Sequence, residues 1–331
     1  MLFFTLTSEK LRSSIKTYTY SINSYKQHRD LKLQKEFSDY YQETSFNDIT
    51  KNEIISGSGS YYIHNTLFTF HYRNRAVYLN SNSKVLLETC TFYNNSVKGR
   101  GGSFYIENSE CIIVHICVSS STVSSLSGSA YCIVSNDNNR SYAFECSVSQ
   151  CSGYEAAFYH QKGDIQVSNM NTSYHNIKRI AAYGIQWPDG TGIINFTTAS
   201  NTSSSEAQGI YHEGTLHSTY CNYLNNECRE TNNAIFYCRS KCKYSKCSFI
   251  ENKGTYLFRR KPEIENCYFA ENTFERNVHY DESFTLESFE SFNSSIVHYS
   301  TDGCSATYTS KIHNTLSILT YRNSRFRILR R

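Results

Sequence analysis

The sequence predicts an all-β fold, a right-handed parallel β-helix of about nine coils with a period near 25 residues. The composition is the first observation behind this prediction, since 15% of the 331 residues are aromatic, with 28 Tyr and 20 Phe against 2 Pro and 2 Met. Chains rich in aromatic and β-branched residues favour strands. The other two observations are sequence markers that recur along the chain.

The first marker is a short motif of a cysteine, an aromatic residue and an asparagine, C-x-[F/Y]-x-x-N. Clear copies begin at Cys90, Cys221, Cys247 and Cys267. Degenerate copies begin at Thr66, Cys117, Cys146, Ser168 and Ile194. We expect the asparagine to occupy a tight turn with left-handed backbone geometry, which its side chain tolerates.

The second marker is a small residue followed by bulky ones, and its spacing is more regular. It occurs at Ala76, Ser103, Ala130, Ala157, Gly184, Gly209, Ala234 and Thr255, at intervals of 21 to 27 residues. A third apolar stretch, such as 85–87 or 111–114, usually precedes the next cysteine site. Each period therefore carries about three short strands separated by Asn, Gly, Ser or Asp turns, and no stretch of it has the length of a helix.

Short strands that stack on copies of themselves describe a parallel β-helix. Because stacked strands lie about 4.8 Å apart, equivalent residues should form ladders of cysteine, aromatic and aliphatic side chains. A single coil buries too few apolar side chains to offset the ~1–2 kcal/mol per residue that ordering its backbone costs. The coils should therefore fold only as an array.

The alternation of these markers resembles a known family. The C-x-F-x-x-N copies, the Gly-Gly-Ser-Phe-Tyr-Ile segment at 101–106 and the segment at 55–62 look like large right-handed β-helix proteins of trichomonad protozoa. Those proteins in turn resemble the passengers of bacterial polymorphic outer-membrane proteins. The resemblance covers about 54–272 and implies a pectin-lyase-like fold and a surface or adhesin-type role without an established enzymatic activity. The chain departs from the family where several coils lack the Gly-Gly pair.

The pattern divides the chain into three parts. Residues 1–53 are an N-terminal segment and cap, with a short helix predicted between Tyr25 and Tyr41. Residues 54–275 are the β-helix. Residues 276–331 are partly a cap and end in a basic tail, predicted to be disordered, with five arginines among the last ten residues. The first residues are too short an apolar run for a secretory signal, and the sequence predicts no transmembrane span.

Carboxylates are sparse in the repeat, and the sequence predicts no catalytic, cofactor-binding or metal site. A carbohydrate-active β-helix needs paired carboxylates, one to protonate the leaving oxygen and one to activate water, or a cation site. Asp137, Asp164 and Asp189 each lie beside Asn, Gly or Pro, as turn residues do. We therefore expect a protein that is not an enzyme.

Histidines are the other candidate catalytic groups in the repeat. Those considered are His160, His175, His212 and His217, which fall in separate coils. His212, Glu213 and His217 are the set that could line one face near Cys221. The preferred interpretation is that each histidine is either hydrogen-bonded in the core or exposed to solvent, and the alternative is that it is catalytic.

The thirteen cysteines allow three interpretations. The preferred one is a buried ladder of free thiols at one position of the repeat, formed by Cys90, Cys117, Cys146, Cys221, Cys247 and Cys267. Disulfides between neighbouring coils are the second. A metal site at Cys228, Cys238, Cys242 and Cys247 is the third, although paired C-x-x-C knuckles are missing.

The preferred function is a non-enzymatic surface or adhesin-like protein, located at the cell surface or secreted. Its expected partner is an extracellular or host glycan or protein, because a regular β-helix offers flat, aromatic-rich faces. The net charge of +4 is too weak to predict a nucleic-acid partner. Sequons at Asn94, Asn139, Asn171, Asn195, Asn201 and Asn293 become glycan sites if the chain is secreted. The alternatives are a truncated paralogue without independent function and a pectin-lyase-fold carbohydrate enzyme.

Overall fold

The computed structural model describes residues 36–43 and 45–289. The chain divides into two compact units, Met1–Thr44 and Ser45–Arg331. In the first unit, helix α1 (Phe37–Tyr40) is a single turn with a reciprocal capping box between Glu36 and Asp39. Most of the stretch between Tyr25 and Tyr41, where the sequence predicts a helix, lies outside the described residues.

The second unit is an all-β parallel solenoid of about 8 turns with a period near 26 residues, which confirms the predicted fold class. The 33 strands within 45–289 form three parallel sheets of 18, 9 and 6 strands. Each strand pairs with the equivalent strand one turn away, so residues at equivalent positions lie directly above one another. The sequence separation of paired strands therefore equals the repeat length.

The largest sheet contains two strand positions from each turn, which we call row 1 and row 2. Row 1 consists of β2 (Ile55–Gly57), β5 (Val77–Leu79), β9 (Phe104–Glu107), β13 (Tyr131–Val134), β17 (Phe158–Gln161), β27 (Ala234–Cys238), β30 (Tyr256–Phe258) and β33 (Arg276–Val278). Row 2 consists of β1 (Asn47–Ile49), β3 (Ser60–His64), β6 (Lys84–Glu88), β10 (Glu110–Val114), β14 (Arg140–Phe144), β18 (Asp164–Ser168), β28 (Cys242–Ser245) and β31 (Glu263–Glu265). Two long strands, β21 (Tyr183–Asn195) and β24 (Ile210–Thr219), run through both rows.

The second and third sheets each take one strand from a turn, and we call them row 3 and row 4. Row 3 consists of β4 (Leu67–Thr69), β7 (Thr91–Tyr93), β11 (Cys117–Ser119), β15 (Ser147–Ser149), β19 (Asn171–Ser173), β22 (Thr198–Ser200), β25 (Asn222–Leu224), β29 (Ser248–Ile250) and β32 (Tyr268–Ala270). Row 4 consists of β8 (Ser96–Val97), β12 (Thr122–Val123), β16 (Ser152–Gly153), β20 (Asn176–Ile177), β23 (Ser203–Ser204) and β26 (Glu227–Cys228). The three sequence markers correspond to rows 3, 1 and 2, whereas the two-residue strands of row 4 were not predicted.

The core is a continuous stack of the inward side chains from all rows. Aromatic rings lie in parallel over one another along it, as in Phe104 and Tyr131, whose centroids are 4.7 Å apart with an interplanar angle of 5°. Phe158 and Tyr183 repeat this contact at 5.1 Å and 8°. Because one ring covers the next, each turn supplies part of the apolar burial of its neighbours.

The predicted thiol ladder lies at the bend between row 2 and row 3. At this bend one residue with positive φ, such as Thr89 before Cys90, turns the chain, and the buried thiol then bonds two carbonyls. Cys90 Sγ donates to the carbonyl of Glu88 at 3.3 Å and to that of Ile63, one turn back, at 3.5 Å. Thr66 occupies the same bend and bonds the carbonyl of His64 at 2.7 Å. The bend therefore requires a small side chain that can donate a hydrogen bond.

Five of the six cysteines assigned to the ladder occupy this bend with free thiols: Cys90, Cys146, Cys221, Cys247 and Cys267. The assignment of Cys117 is wrong. Cys117 pairs with Thr91 and with Ser147, so it lies one residue further along, in β11, and Ile116 fills the bend. Cys238 and Cys242, which lie in a single turn, are joined by a disulfide, whereas the second interpretation placed disulfides between neighbouring turns.

The expected left-handed position of the motif asparagine is also wrong. The residue before it has the positive φ, as at Asn94 (53°) and Asn225 (50°), whereas Asn95 and Asn226 themselves are fully buried. The buried asparagines form a ladder in which each side chain completes the turn of its neighbour. The backbone N–H and the side-chain Nδ2 of Asn226 both donate to Asn252 Oδ1, each at 3.1 Å.

The last turn is covered by residues that follow its strands. Phe284 and Leu286 pack against the core stack. Ser288 Oγ bonds the backbone N–H of Phe269 at 3.0 Å, and the N–H of Phe289 donates to the carbonyl of Cys267 at 3.0 Å. The segment through 289 thus caps the final row 3 strand. Among the described residues no helix is long and apolar enough to cross a membrane.

Candidate functional site

The candidate site is the outer side of row 1, where tyrosines recur at one register position. We call it the tyrosine face. Its aromatic members are Tyr78, Tyr105, Tyr159, Tyr211 and Tyr237, and Cys132 and Gly184 hold the same position in the intervening turns. Side chains alternate along a strand, so the residue that follows each core residue of row 1 points outward onto this face.

The tyrosine rings stack along the solenoid rather than project from it. The centroids of Tyr78 and Tyr105 are 5.7 Å apart with an interplanar angle of 12°. Those of Tyr211 and Tyr237 are 4.6 Å apart with an angle of 23°. Tyr105 and Tyr159 are only 7% exposed and form a small apolar cluster with Cys132, outside the main core. The face is therefore a flat aromatic strip.

Arginines cover both ends of the tyrosine face. The guanidinium of Arg75 lies 5.3 Å from the ring centroids of both Tyr78 and Tyr105. At the other end Arg259 lies 4.3 Å from the centroid of Tyr237 and 4.8 Å from that of Tyr280, whose side chain is highly exposed. These cation–π contacts fix planar, charged donors beside the rings.

A polar network runs beside the rings, two residues further along each strand. Tyr159 Oη donates to Gln186 Oε1 at 2.5 Å, and Gln186 Nε2 donates to Glu213 Oε2 at 2.6 Å. Glu213 also accepts from Tyr211 Oη and from a guanidinium N–H of Arg239, both at 2.5 Å. Three turns are thereby joined through one carboxylate.

The protonation states of this network are set by burial and by these bonds. Burial raises the pKa of Tyr105, Tyr159 and Tyr211, so their hydroxyls stay protonated. Burial also acts to raise the pKa of Glu213, but the hydrogen bonds from Tyr211 and Gln186 and the charge of Arg239 outweigh it, and the pKa is lowered. Glu213 is therefore a carboxylate that accepts hydrogen bonds.

Gly184 shapes the middle of the tyrosine face. A Cβ at this position would lie 2.4 Å from Cε2 of the Tyr159 ring, so only glycine lets that ring lie flat over the next turn. From there Tyr159 reaches Gln186. The gap in the row of tyrosines is thus filled by the neighbouring ring.

The three aspartates named from the sequence lie at one corner of the solenoid, between row 1 and row 2. Asp137 is in a turn, and Asp164 begins β18 and accepts from Tyr142 Oη. Asp189, in the next turn, accepts from the backbone N–H of Asn138. The corner brings the three into consecutive turns, and the contacts of Asp164 and Asp189 are those of residues that hold loops in place.

Three of the four candidate histidines point into the interior. His160, His175 and His212 are fully buried, and burial lowers the pKa of each to about 3. His212 bonds Tyr183 Oη and Tyr244 Oη, each at 3.1 Å. Because Glu213 follows His212 in the strand, it points outward to the tyrosine face. His217 bonds Ser245 from row 2, so these three residues do not line one face.

No group of three or more His, Cys, Asp or Glu side chains arranged to hold a metal ion occurs within 36–43 and 45–289. Cys238 and Cys242, considered as metal ligands, are bonded to each other. Cys228 donates to the carbonyl of Ala207 at 2.9 Å. Cys228, Cys238 and Cys242 therefore make structural contacts within the solenoid.

Comparison of the chain with protein-family models, with curated proteins and with solved structures gives no match. The tyrosine face was not named from the sequence, although a signal for it exists. In the second marker the residue two places after the small one is tyrosine at Tyr78, Tyr105, Tyr159 and Tyr211. In the parallel fold, that spacing places the four tyrosines in a single row.

Proposed function

We propose that this chain is a non-enzymatic, adhesin-like protein of the cell surface or extracellular space, and that its tyrosine face binds an extended glycan. The observation that carries the proposal is the in-register row of tyrosines with arginine, glutamine and glutamate beside it. Tyr78, Tyr211 and Tyr237 are the partly exposed members of the row and lie at equivalent positions of their turns, which suits a polymer with a repeating unit.

The chemistry of the face matches that of a sugar chain. A pyranose ring has an apolar side of C–H groups and a rim of hydroxyls. Tyr211 and Tyr237 stack face to face and offer their ring edges to the apolar side. Arg239 and Arg259 donate to the rim, and Glu213, which is only 4% exposed, holds the guanidinium of Arg239 in place. Arg239 is exposed at the edge of the network, with its guanidinium held by Glu213.

The protonation of Glu213 supports binding rather than hydrolysis. A glycosidase needs one carboxyl group with a raised pKa as general acid and a second carboxylate across the sugar. The pKa of Glu213 is lowered instead. A buried carboxylate that is bonded to Arg239 and Tyr211 fits a group that orients the arginine toward a ligand.

The proposed location rests on two features. The disulfide Cys238–Cys242 is typical of chains that fold in an oxidising compartment. The sequon residues Asn94 and Asn201 lie at bends with positive φ and are partly exposed, whereas Asn171 is buried in row 3. Membership in the family of trichomonad β-helix proteins is part of the same proposal and rests on the alternating markers at a fixed period.

Glycan-array binding tests the function. The full chain is expected to bind extended polysaccharides, and Tyr211→Ala combined with Tyr237→Ala to weaken that binding at least tenfold. The matched control is Tyr72→Ala, which removes an exposed tyrosine outside the tyrosine face. Equal loss in the control, or no binding by the wild-type chain, would contradict the proposal.

Peptide mass spectrometry on the native protein tests the location. Glycan occupancy at Asn94 is expected, together with an unmodified Asn171, because the folded chain buries that side chain. An unoccupied Asn94 together with reduced Cys238 and Cys242 would place the protein in a reducing compartment and overturn the location.

A further inference from the structure

The outer side of row 3 contains small polar residues that are buried. In β7 to β29 the middle residue of each strand, such as Val148, points into the core, so its neighbours point outward. Ser119, Ser147, Ser149 and Ser173 are outward residues, yet their exposed fractions are at most 3%. On the same sheet but at its first strand, Leu67 is 46% exposed. The burial is thus confined to the middle of the sheet.

Several hydroxyls of this surface lack hydrogen-bond partners. Ser149, Ser173 and Ser200 form one column in consecutive turns, and Ser248 lies in the parallel column two turns on. None of these four hydroxyls has a partner within 36–43 and 45–289. Buried polar groups are almost always satisfied in folded proteins. This surface, which we call the serine strip, therefore has the properties of one side of an interface.

The described chain ends beside the serine strip. Ser288 bonds both the N–H and the carbonyl of Phe269 in β32, at 3.0 and 3.2 Å. Strand β32 is the last strand of the sheet that carries the strip. The residues that follow Phe289 thus start at one end of this surface.

Cysteine pairing connects the strip to that following segment. Cys117 faces outward in the strip and is disulfide-bonded. The sequence has thirteen cysteines, of which nine described ones carry free thiols and two form Cys238–Cys242. Cys304 is the one cysteine that these assignments leave.

We propose that the segment 290–331 lies across the serine strip and is fastened there by a disulfide between Cys117 and Cys304. Six strand spacings of about 4.8 Å separate β32 from β11, roughly 29 Å in all. The fifteen residue-to-residue steps from Phe289 to Cys304 span up to about 50 Å when extended, at roughly 3.3 Å per residue. The bond forms when the two thiols pass two electrons and two protons to a disulfide oxidant, which leaves as two thiols.

The burial pattern agrees with this occupant. Both outward positions are buried from β11 to β22, which lie between the ends of the proposed path. Nearer β32, Asn222 and Ser248 stay buried, while Leu224 and Ile250 are half-buried. Backbone N–H and C=O groups of a crossing segment would also supply partners for the column of serine hydroxyls. The proposal is independent of the tyrosine face, which lies on another sheet.

Non-reducing peptide mapping tests the pairing. The full chain is equilibrated with oxidised glutathione, its free thiols are alkylated with N-ethylmaleimide, and the digest is analysed by mass spectrometry. A peptide that joins Cys117 to Cys304 is expected, with Cys238–Cys242 as the internal control for oxidation. Alkylated Cys117 in a sample whose control disulfide has formed would overturn the proposal. A bond from Cys117 to a second copy of the chain would also overturn it.

A substitution tests the surface without relying on the disulfide. In a Cys304→Ser background, Ser173→Arg should displace the segment and increase its cleavage by trypsin after Arg322 at least tenfold. The matched control is Thr69→Arg, an outward residue of the same sheet outside the strip. Equal cleavage of the two variants would contradict docking on the strip. If Ser173→Arg does not fold, Ser149→Arg is the substitute, and the peptide map is decisive on its own.

Discussion

The side-chain Nδ2 of Asn252 donates to Oδ1 of Asn272, 2.9 Å away and one turn further along the solenoid. Oδ1 of Asn252 accepts in turn from Asn226, and a second bond from its Nδ2 reaches the carbonyl of Tyr223 at 2.9 Å. One buried side chain thus bonds to the turns on either side of its own and fixes the spacing to both. The asparagine of the repeat motif is therefore a connector between turns.

Removal of this connector should destabilise the solenoid. Asn252→Ala leaves the buried backbone N–H of Asn226 without its partner and removes one bond each from Asn226 Nδ2, the carbonyl of Tyr223 and Asn272 Oδ1. Each buried group left unpaired costs about 1–3 kcal/mol. We expect a loss of about 2–4 kcal/mol in the free energy of unfolding, measured by urea denaturation. Asn232→Ala, at an exposed turn, is the control and should change stability by less than ~0.5 kcal/mol. Similar values for both variants would contradict the connector role.

Stability should fall as the pH falls below about 6.5. Burial lowers the folded-state pKa of His160, His175 and His212 to about 3, while their unfolded-state pKa is near 6.5. The unfolded chain therefore binds these protons first, so the stability is fully present above pH 6.5 and is lost between about pH 6.5 and 3. Each histidine contributes a slope of up to ~1.4 kcal/mol per pH unit. His212→Gln should make the measured slope shallower, and an unchanged slope would show that His212 does not titrate in this way.

The buried free thiols of the solenoid should be unreactive in the folded protein. Burial raises the pKa of Cys90, Cys146 and Cys151 to about 12, so the thiolate, which is the reactive form, is scarce at pH 8. Labelling with a thiol reagent is expected to be roughly 10²-fold slower than in urea. Rapid labelling of these three cysteines under native conditions would mean that the turns open more often than the fold implies.

Gly184→Ala should disturb the tyrosine face without removing any of its groups. The added methyl collides with the ring of Tyr159, which must leave its position and lose the bond to Gln186. We expect a destabilisation of about 1–3 kcal/mol, as for other overpacked sites, together with weaker glycan binding. Tyr159→Phe keeps the ring and removes only the hydroxyl, so it should retain most of the binding. If Gly184→Ala binds as well as the wild-type chain, the flat position of Tyr159 is not needed.

The architecture was predictable because each strand pairs with the equivalent strand of the next turn. The motifs that begin at Cys90 and Ala76 therefore recur at intervals of about one turn, and the repeat can be recognised from the sequence. The two-residue strand Ser96–Val97 and its equivalents were missed because two residues show no periodicity. Cys117 was placed one residue early because the bend preceding β11 has Ile116 where other turns have cysteine, so the motif alone could not fix the register.

The site was less predictable than the fold for a physical reason. A tyrosine such as Tyr105 is an ordinary strand residue in one coil, and it becomes part of a surface only when the turns are stacked in register. The network around Glu213 likewise joins residues 26 or 27 positions apart in the sequence. A local motif does not show which residues of other turns it will contact, because the register of the parallel strands determines those contacts.

The most direct test of the proposed function is the dependence of binding on glycan length. The tyrosine face spans six turn-to-turn spacings from Tyr78 to Tyr237, about 29 Å at 4.8 Å each. Titration calorimetry with a size series of the oligosaccharide identified on the array should show affinity rising with length until the ligand covers this span, and then levelling off. An affinity that does not depend on length, or that is unchanged in the variant with alanine at Tyr211 and Tyr237, would contradict a binding site that extends along the turns.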